Sequence, residues 1–327
     1  MPDSYTRRLI RRTLATWCGR RTLSVAGVAV AIALVAAACD PAPPPPPATV
    51  YDAACAGTLV ASTPGTVANG AVTELSGIAA SRRNPGVWWV HNDSGQGIRN
   101  VVYAVGDDGR DLGTFTLTGA TNVDWEDIAV GPGPDASKSY LYVADIGGNI
   151  APRNQVFVYR VPEPAVSSST SSGAVDLAGA VKLTLSYPPT VTPDAEALIV
   201  DPINGDLFIV TKVLTGSATV YRADVSGSTT VSMTAVASVP QSLVTGADVT
   251  ATGDFVVLLT YTSAVVYPRP AGGSLAAAFG QVPCAGGFPA LTQSLKQYEA
   301  IGFTPDGRGY VAASEGSAPV LHQFHAP

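Results

Sequence analysis

The sequence predicts an all-β protein, a β-propeller of five blades, on three observations. First, a short apolar run opened by an acidic or hydroxyl residue turns back into a second apolar run, and this happens five times. The openings read Ser76-Gly77-Ile78-Ala79 behind Glu74, then Glu126-Asp127-Ile128-Ala129, Glu196-Ala197-Leu198-Ile199, Asp248-Val249-Thr250-Ala251 and Glu299-Ala300-Ile301-Gly302. The last four acids stand 70, 52 and 51 residues apart, a period typical of repeated blades. Second, 33 Gly and 26 Pro set against only 13% charged residues suit a strand-and-turn protein. Third, the fifth unit reaches Pro327 with three strands, while a strand-like stretch at 57–61 precedes the first unit. Lending that stretch to the last blade closes the ring and removes two exposed edges. Six blades is the alternative, because the second unit is long; its excess includes the serine-rich 167–172, which reads as a loop.

Residues 1–38 read as an export segment outside the propeller. Six arginines precede a small, apolar stretch at 23–38, too short and wrongly flanked for a membrane span. The run Leu34-Val35-Ala36-Ala37-Ala38-Cys39 resembles a bacterial lipoprotein signal, which implies acylation of Cys39. Plain cleavage after an Ala-x-Ala is the alternative, and the pairs Arg7-Arg8 and Arg20-Arg21 leave a twin-arginine route open. Residues 39–50 then form a linker in which Pro43 to Pro47 hold a stiff, extended spacer. The propeller domain is placed at 51–327, displayed at the cell surface on a lipid anchor, or secreted if Cys39 is not acylated.

Without the export segment, 13 basic residues face 24 acidic ones, a net charge of −11. That excludes nucleic acid and polyanionic substrates and favours cations. Cys55 and Cys284 remain as a pair, and an exported chain meets an oxidising compartment, so a disulfide between them is expected.

Within each unit the second strands are the strongest: Val87-Trp88-Trp89-Val90, Tyr140-Leu141-Tyr142-Val143, Leu207-Phe208-Ile209-Val210, Phe255-Val256-Val257-Leu258 and Tyr310-Val311-Ala312-Ala313. Such continuous apolar runs suit strands covered on both faces. Turns such as Asp201-Pro202-Ile203-Asn204-Gly205 and Thr304-Pro305-Asp306-Gly307 join first to second strand, with Pro early and Gly late. Third strands centre on Tyr103, Tyr159, Tyr221, Tyr267 and Phe324; fourth strands are expected at 113–117, 181–187, 232–239 and 275–279.

In a propeller the first strands line the channel, so the start of strand one and the end of strand two share a rim. That rim collects Glu74, Asp124, Glu126, Asp127, Asp194, Glu196, Asp248 and Glu299, joined by His91, Asp93, Asp145, Lys212, Tyr261 and Glu315. Glu74 lies two residues ahead of the Glu126 position, which Ser76 occupies; Asp124 and Asp194 match Glu74, so the ring has two tiers. Converging carboxylates repel unless a cation or shared protons compensate. A hard cation such as calcium, held by Glu126, Glu196, Asp248, Glu299 and Asp145, is the first expectation. Caps on backbone N–H groups between neighbouring blades are the second. His91, with Asp93 two residues away, is the candidate general base. Trp88, Trp89 and Trp125 are candidate sugar-stacking residues.

This pattern of acid, small apolar strand, turn and apolar strand, from about residue 70 to 327, resembles the gluconolactonase and esterase-like phytase propellers. The resemblance implies a divalent ion in an acidic channel and hydrolysis of lactones or esters. Lys212 is the only obvious rim cation, too few for phytate-like phosphates. Two readings follow. One is a cell-surface propeller with a cation-binding channel that recognises a small molecule, a glycan or a protein. The other is a calcium-dependent hydrolase in which the metal polarises a carbonyl and His91 or Asp93 activates water. A monomer is expected in either case.

Overall fold

The computed structural model describes residues 47–94, 99–148, 151–166, 174–289 and 297–327. The export segment 1–38, Cys39, the prolines up to Pro46 and the serine-rich 167–172 lie outside the described residues. No helix among the described residues is long and apolar enough to cross a membrane.

Five sheets, each built on four antiparallel strands, stand around a channel. From the channel outward, blade I is Leu75–Ala80, Val87–Asn92, Val101–Gly106 and Asp111–Leu117. Blade II is Trp125–Pro132, Ser139–Asp145, Gln155–Pro162 and Val181–Ser186. Blade III is Ala195–Val200, Leu207–Thr211, Ala218–Ala223 and Thr234–Val239. Blade IV is Val244–Val249, Phe255–Thr260, Ala264–Pro268 and Cys284–Ala285. Blade V takes Tyr298–Phe303, Gly309–Ser314 and Val320–His325 from the C-terminus and Val60–Thr66 from the N-terminus. Each inner strand packs against its two neighbours, blade V against blade I included, so the ring is closed.

The apolar strands are explained by what lies on each side of them. Five buried clusters fill the five interfaces between adjacent blades. Because strand side chains alternate, consecutive residues serve opposite interfaces. Trp88 packs toward blade V with Val311 and Leu321, while Trp89 packs toward blade II with Leu141 and Tyr159. Both are buried, as is Trp125, so none of the three offers a face for sugar stacking. Full burial of each large apolar side chain contributes roughly 1.5–3 kcal/mol.

The chain enters through a helix, Val50–Ala56, capped by Thr49 and ended by Gly57 in the left-handed conformation. The expected strand at 57–61 begins only at Val60, after the helix has stopped at Gly57. Val50 and Ala54 bury against Val257 and Val266 at the interface of blades IV and V. Cys55 then bonds to Cys284 in the outermost strand of blade IV. A crosslink between residues 229 apart in sequence restricts the unfolded chain and contributes roughly 2–4 kcal/mol.

Two further expectations are corrected, and two short strands add to the expected pattern. Residues 275–279 form a 3-10 helix, Leu275–Gly280, instead of the fourth strand of blade IV. Three consecutive alanines favour helical backbone, and Leu275 and Phe279 still bury their side chains beside Tyr267. The excess length of the second unit is not all loop, since Ala174–Leu177 returns to blade I and pairs parallel with Asp111–Leu117. Thr230–Ser232, within the span assigned to blade III, pairs parallel with the outer strand of blade II. Finally, the inner strand of blade IV spans Val244–Val249, so Asp248 lies near its end and does not open it.

Candidate functional site

Every inner strand carries a register shift at the same place, between its first and third residues. The extra residues are Ser76, Glu126, Glu196, Thr245 and Glu299. A bulge of this kind re-aims the side chain it carries. Two of the five tie neighbouring blades together: Ser76 Oγ donates to the Glu126 carbonyl at 2.8 Å. Thr245 Oγ1 donates to the Tyr298 carbonyl at 2.7 Å. The other three are the glutamates.

Around these glutamates the structure gathers two carboxylate triplets, Asp93–Asp124–Glu126 and Glu126–Asp194–Glu196, each with oxygens within 4.8 Å of one another. Glu126 belongs to both, and its Oε1 is buried without a hydrogen-bond partner among the described residues. Asp124 and Asp194 come from the tier two residues ahead of the bulge, so both tiers contribute to one mouth. Gly147 allows this crowding, because a Cβ there would stand 2.1 Å from Glu126 Oε1 and 2.4 Å from Asp124 Oδ2.

The two triplets differ in what already balances them. Lys212 pairs with Glu196 and lies over the Tyr261 ring, 4.8 Å from its centroid. Burial alone would lower the pKa of this ammonium, but Glu196 beside it drives it up. Asp194 Oδ1 accepts from the Gly148 N–H at 2.8 Å. Among the described residues no lysine or arginine pairs with the Asp93–Asp124–Glu126 triplet; Arg153 only offsets part of the burial effect on Asp124 from a distance, and Ser94 Oγ donates to Asp124 at 2.9 Å. Burial, then the surrounding carboxylates, raises the Glu126 pKa well above the usual range. Burial likewise pushes Asp93 up to about 6. Only oxygen donors converge here, the donor type that a hard divalent cation takes, and one Glu126 oxygen among them has no hydrogen-bond partner among the described residues. The residues present fit such an ion.

The remaining sequence candidates fall elsewhere. Asp145 is buried and paired with Arg153, Nη1 to Oδ1 2.7 Å. Arg153 Nε also donates to the Gly147 carbonyl at 2.8 Å, so Asp145 positions the strand end that faces Glu126. Glu299 accepts from Gln297 Nε2 at 2.9 Å and shares a hydrogen bond with Glu315, whose pKa burial pushes up to about 9. Asp248 is at the far mouth of the channel, three residues past the bulge. Its oxygens accept from the N–H groups of Val249 at 2.8 Å and Phe303 at 2.7 Å, which links blades IV and V. Asp127 does the same for blades II, III and IV, accepting from Ile128, Leu198 and Ala247. These two acids are therefore the inter-blade caps.

His91 is fully buried and packs edge-on against Trp125. Its Nδ1 donates to the Asn92 carbonyl at 2.9 Å, and Nε2 lies against Gly77 with no hydrogen-bond partner. Burial lowers its pKa to about 4, so the ring is neutral near pH 7. The structure brings Asp93 to the carboxylate triplet but does not bring His91 there.

Fold and mouth together define a five-bladed β-propeller with carboxylates placed to hold a metal ion. No protein-family model and no curated protein matches the sequence. Among solved structures, the chain is similar to the PQQ-bound aldose sugar dehydrogenase of Streptomyces coelicolor at 13% identity, TM-score 0.43, covering 82% of this chain and 98% of that one. Raptor of Chaetomium thermophilum matches at 12% identity and TM-score 0.43, over 81% of this chain and 29% of that one. The Dos1 propeller matches at 10% identity and TM-score 0.35, over 77% of this chain and 68% of that one. Likenesses at this level concern the overall fold and say nothing of activity.

Proposed function

We propose that this protein is an exported propeller, anchored to the outer face of a membrane through an acylated Cys39. In this reading a calcium-like divalent cation at Asp93, Asp124 and Glu126 helps the mouth bind an extracellular ligand. The observation that carries the reading is the buried, unpartnered oxygen of Glu126, shared by two carboxylate triplets. A cation there offsets the repulsion and presents positive charge to an oxygen-bearing small molecule, glycan or protein. Lys212, already engaged by Glu196, makes the Asp194 side the less demanding of the two. The Cys55–Cys284 disulfide supports an oxidising compartment.

The test is thermal melting of the full chain in calcium chloride and in EDTA. Calcium should raise the melting temperature, since a ligand at 100 times its Kd stabilises by about 2.7 kcal/mol. Glu126→Gln should remove that response while melting higher than the parent in EDTA, because a buried charge has gone. A melting temperature indifferent to calcium, magnesium and EDTA, with no ion copurifying, would defeat the metal. The anchor is checked separately: labelled palmitate should enter the protein in a bacterial host and be absent from Cys39→Ala. Equal labelling of the two would remove the anchor and leave the cation site standing.

A further inference from the structure

The opposite mouth of the channel is built differently. There the ends of the inner strands enclose a cavity of about 350 Å³, within the size range of small-molecule sites. Its walls are largely apolar and include Val130, Val249, Phe303 and Pro305. Two charged residues also line it, Arg82 and Asp248. Arg82 stands exposed at this mouth and makes no hydrogen bond or ion pair among the described residues. Asp248 is partly exposed; each of its oxygens accepts one backbone N–H, which leaves each a further lone pair. The two side chains influence each other electrostatically yet form no ion pair.

A cavity with apolar walls, one free guanidinium and one carboxylate selects by charge balance. A simple anion would satisfy Arg82 but face Asp248, and a simple cation would do the reverse. A molecule carrying both charges satisfies both and adds none. The planar fork of Arg82 suits a carboxylate in particular. An apolar body on the same molecule is favoured because its surface leaves water for the apolar wall.

We propose that this mouth is a second binding site, independent of the acidic one, for a free α-amino acid with an apolar side chain. Its carboxylate meets Arg82, its ammonium meets Asp248, and its side chain lies against Phe303 and Pro305.

Calorimetric titration of the full chain with L-phenylalanine tests this, alongside hydrocinnamate, which lacks the amine, and phenethylamine, which lacks the carboxylate. L-phenylalanine should bind, with each truncated analogue at least tenfold weaker. Arg82→Met should abolish binding, and Arg82→Lys, which keeps the charge without the fork, should weaken it about tenfold. Arg82 makes no hydrogen bond or ion pair among the described residues, so melting of both variants should stay close to the parent, and that readout separates lost binding from misfolding. The proposal is overturned if L-phenylalanine gives no heat at millimolar concentration, if Arg82→Met binds it unchanged, or if either analogue binds as tightly.

Discussion

Asp127→Ala is expected to cost the fold about 3–5 kcal/mol, the price of orphaning buried donors in the channel wall. The Asp127 carboxylate accepts from Ile128 N at 2.8 Å, Leu198 N at 2.8 Å and Ala247 N at 3.4 Å, so it joins the inner strands of three blades. No apolar side chain replaces those acceptors. Asp127→Asn keeps an acceptor oxygen and should lose less than half as much. The neighbouring Glu126→Gln should have the opposite sign in EDTA, because the Glu126 carboxylate has an oxygen with no partner to lose. Urea denaturation midpoints of the three variants measure this directly. If Asp127→Ala unfolds within about 1 kcal/mol of the parent, Asp127 is not a structural cap.

In EDTA, stability should fall as pH rises from 4.5 toward 9. Burial pushes Asp93 and Asp248 up to about 6, Glu196 to about 8 against the pull of Lys212, and Glu315 to about 9. A carboxyl with a raised pKa keeps its proton in the fold after the unfolded chain has released it. Its stabilisation is complete below the unfolded pKa and is lost as pH climbs through the folded one. His91 acts in the other direction: its pKa falls from 6.5 to about 4, so it adds stability as pH rises through that window. One imidazole opposes four carboxyls, and the net slope remains downward. Calcium should flatten the curve by binding the ionised carboxylates. Melting temperatures across the pH range, with EDTA and with calcium, decide the matter. A melting temperature in EDTA that climbs from about pH 5 to pH 8 would contradict the burial of these carboxyls.

The wider rim was legible in the sequence, but of the five expected ligands only Glu126 and Glu196 belong to the triplets. The rim set from strand starts and strand ends contains Asp93, Asp124, Glu126, Asp194 and Glu196, the five acids that the fold gathers into triplets. Their recognition needed only strand alternation and the antiparallel turn between first and second strands. The two-tier pattern, with Ser76 standing where Glu126 stands, coincides with the bulge and the residue two before it. What misled was spacing. Asp248 keeps the repeat near 52 residues, but the bulge of blade IV falls at Thr245, and blade lengths differ in their outer turns. A hydroxyl at the equivalent position in blade I was the signal that a threonine could serve in blade IV.

The sequence by itself pointed to a closed propeller with an acidic rim and a Cys55–Cys284 crosslink, and favoured five blades over six. Those properties follow from apolar periodicity, turn residues and cysteine count, each written locally in the chain. Only the tertiary structure decided which acids face the channel and which face a neighbouring backbone. Glu126 and Asp127 are adjacent and chemically alike, yet a bulge sends the first into a cluster of carboxylates and the second onto the N–H groups of the next blades. The same holds for Asp145, drawn to Arg153, and for His91, enclosed beside Trp125. A bulge, a side-chain direction and the distance to another blade depend on pairings across strands and blades, from Arg153 8 positions beyond Asp145 to Leu198 71 positions beyond Asp127, and no local pattern records them.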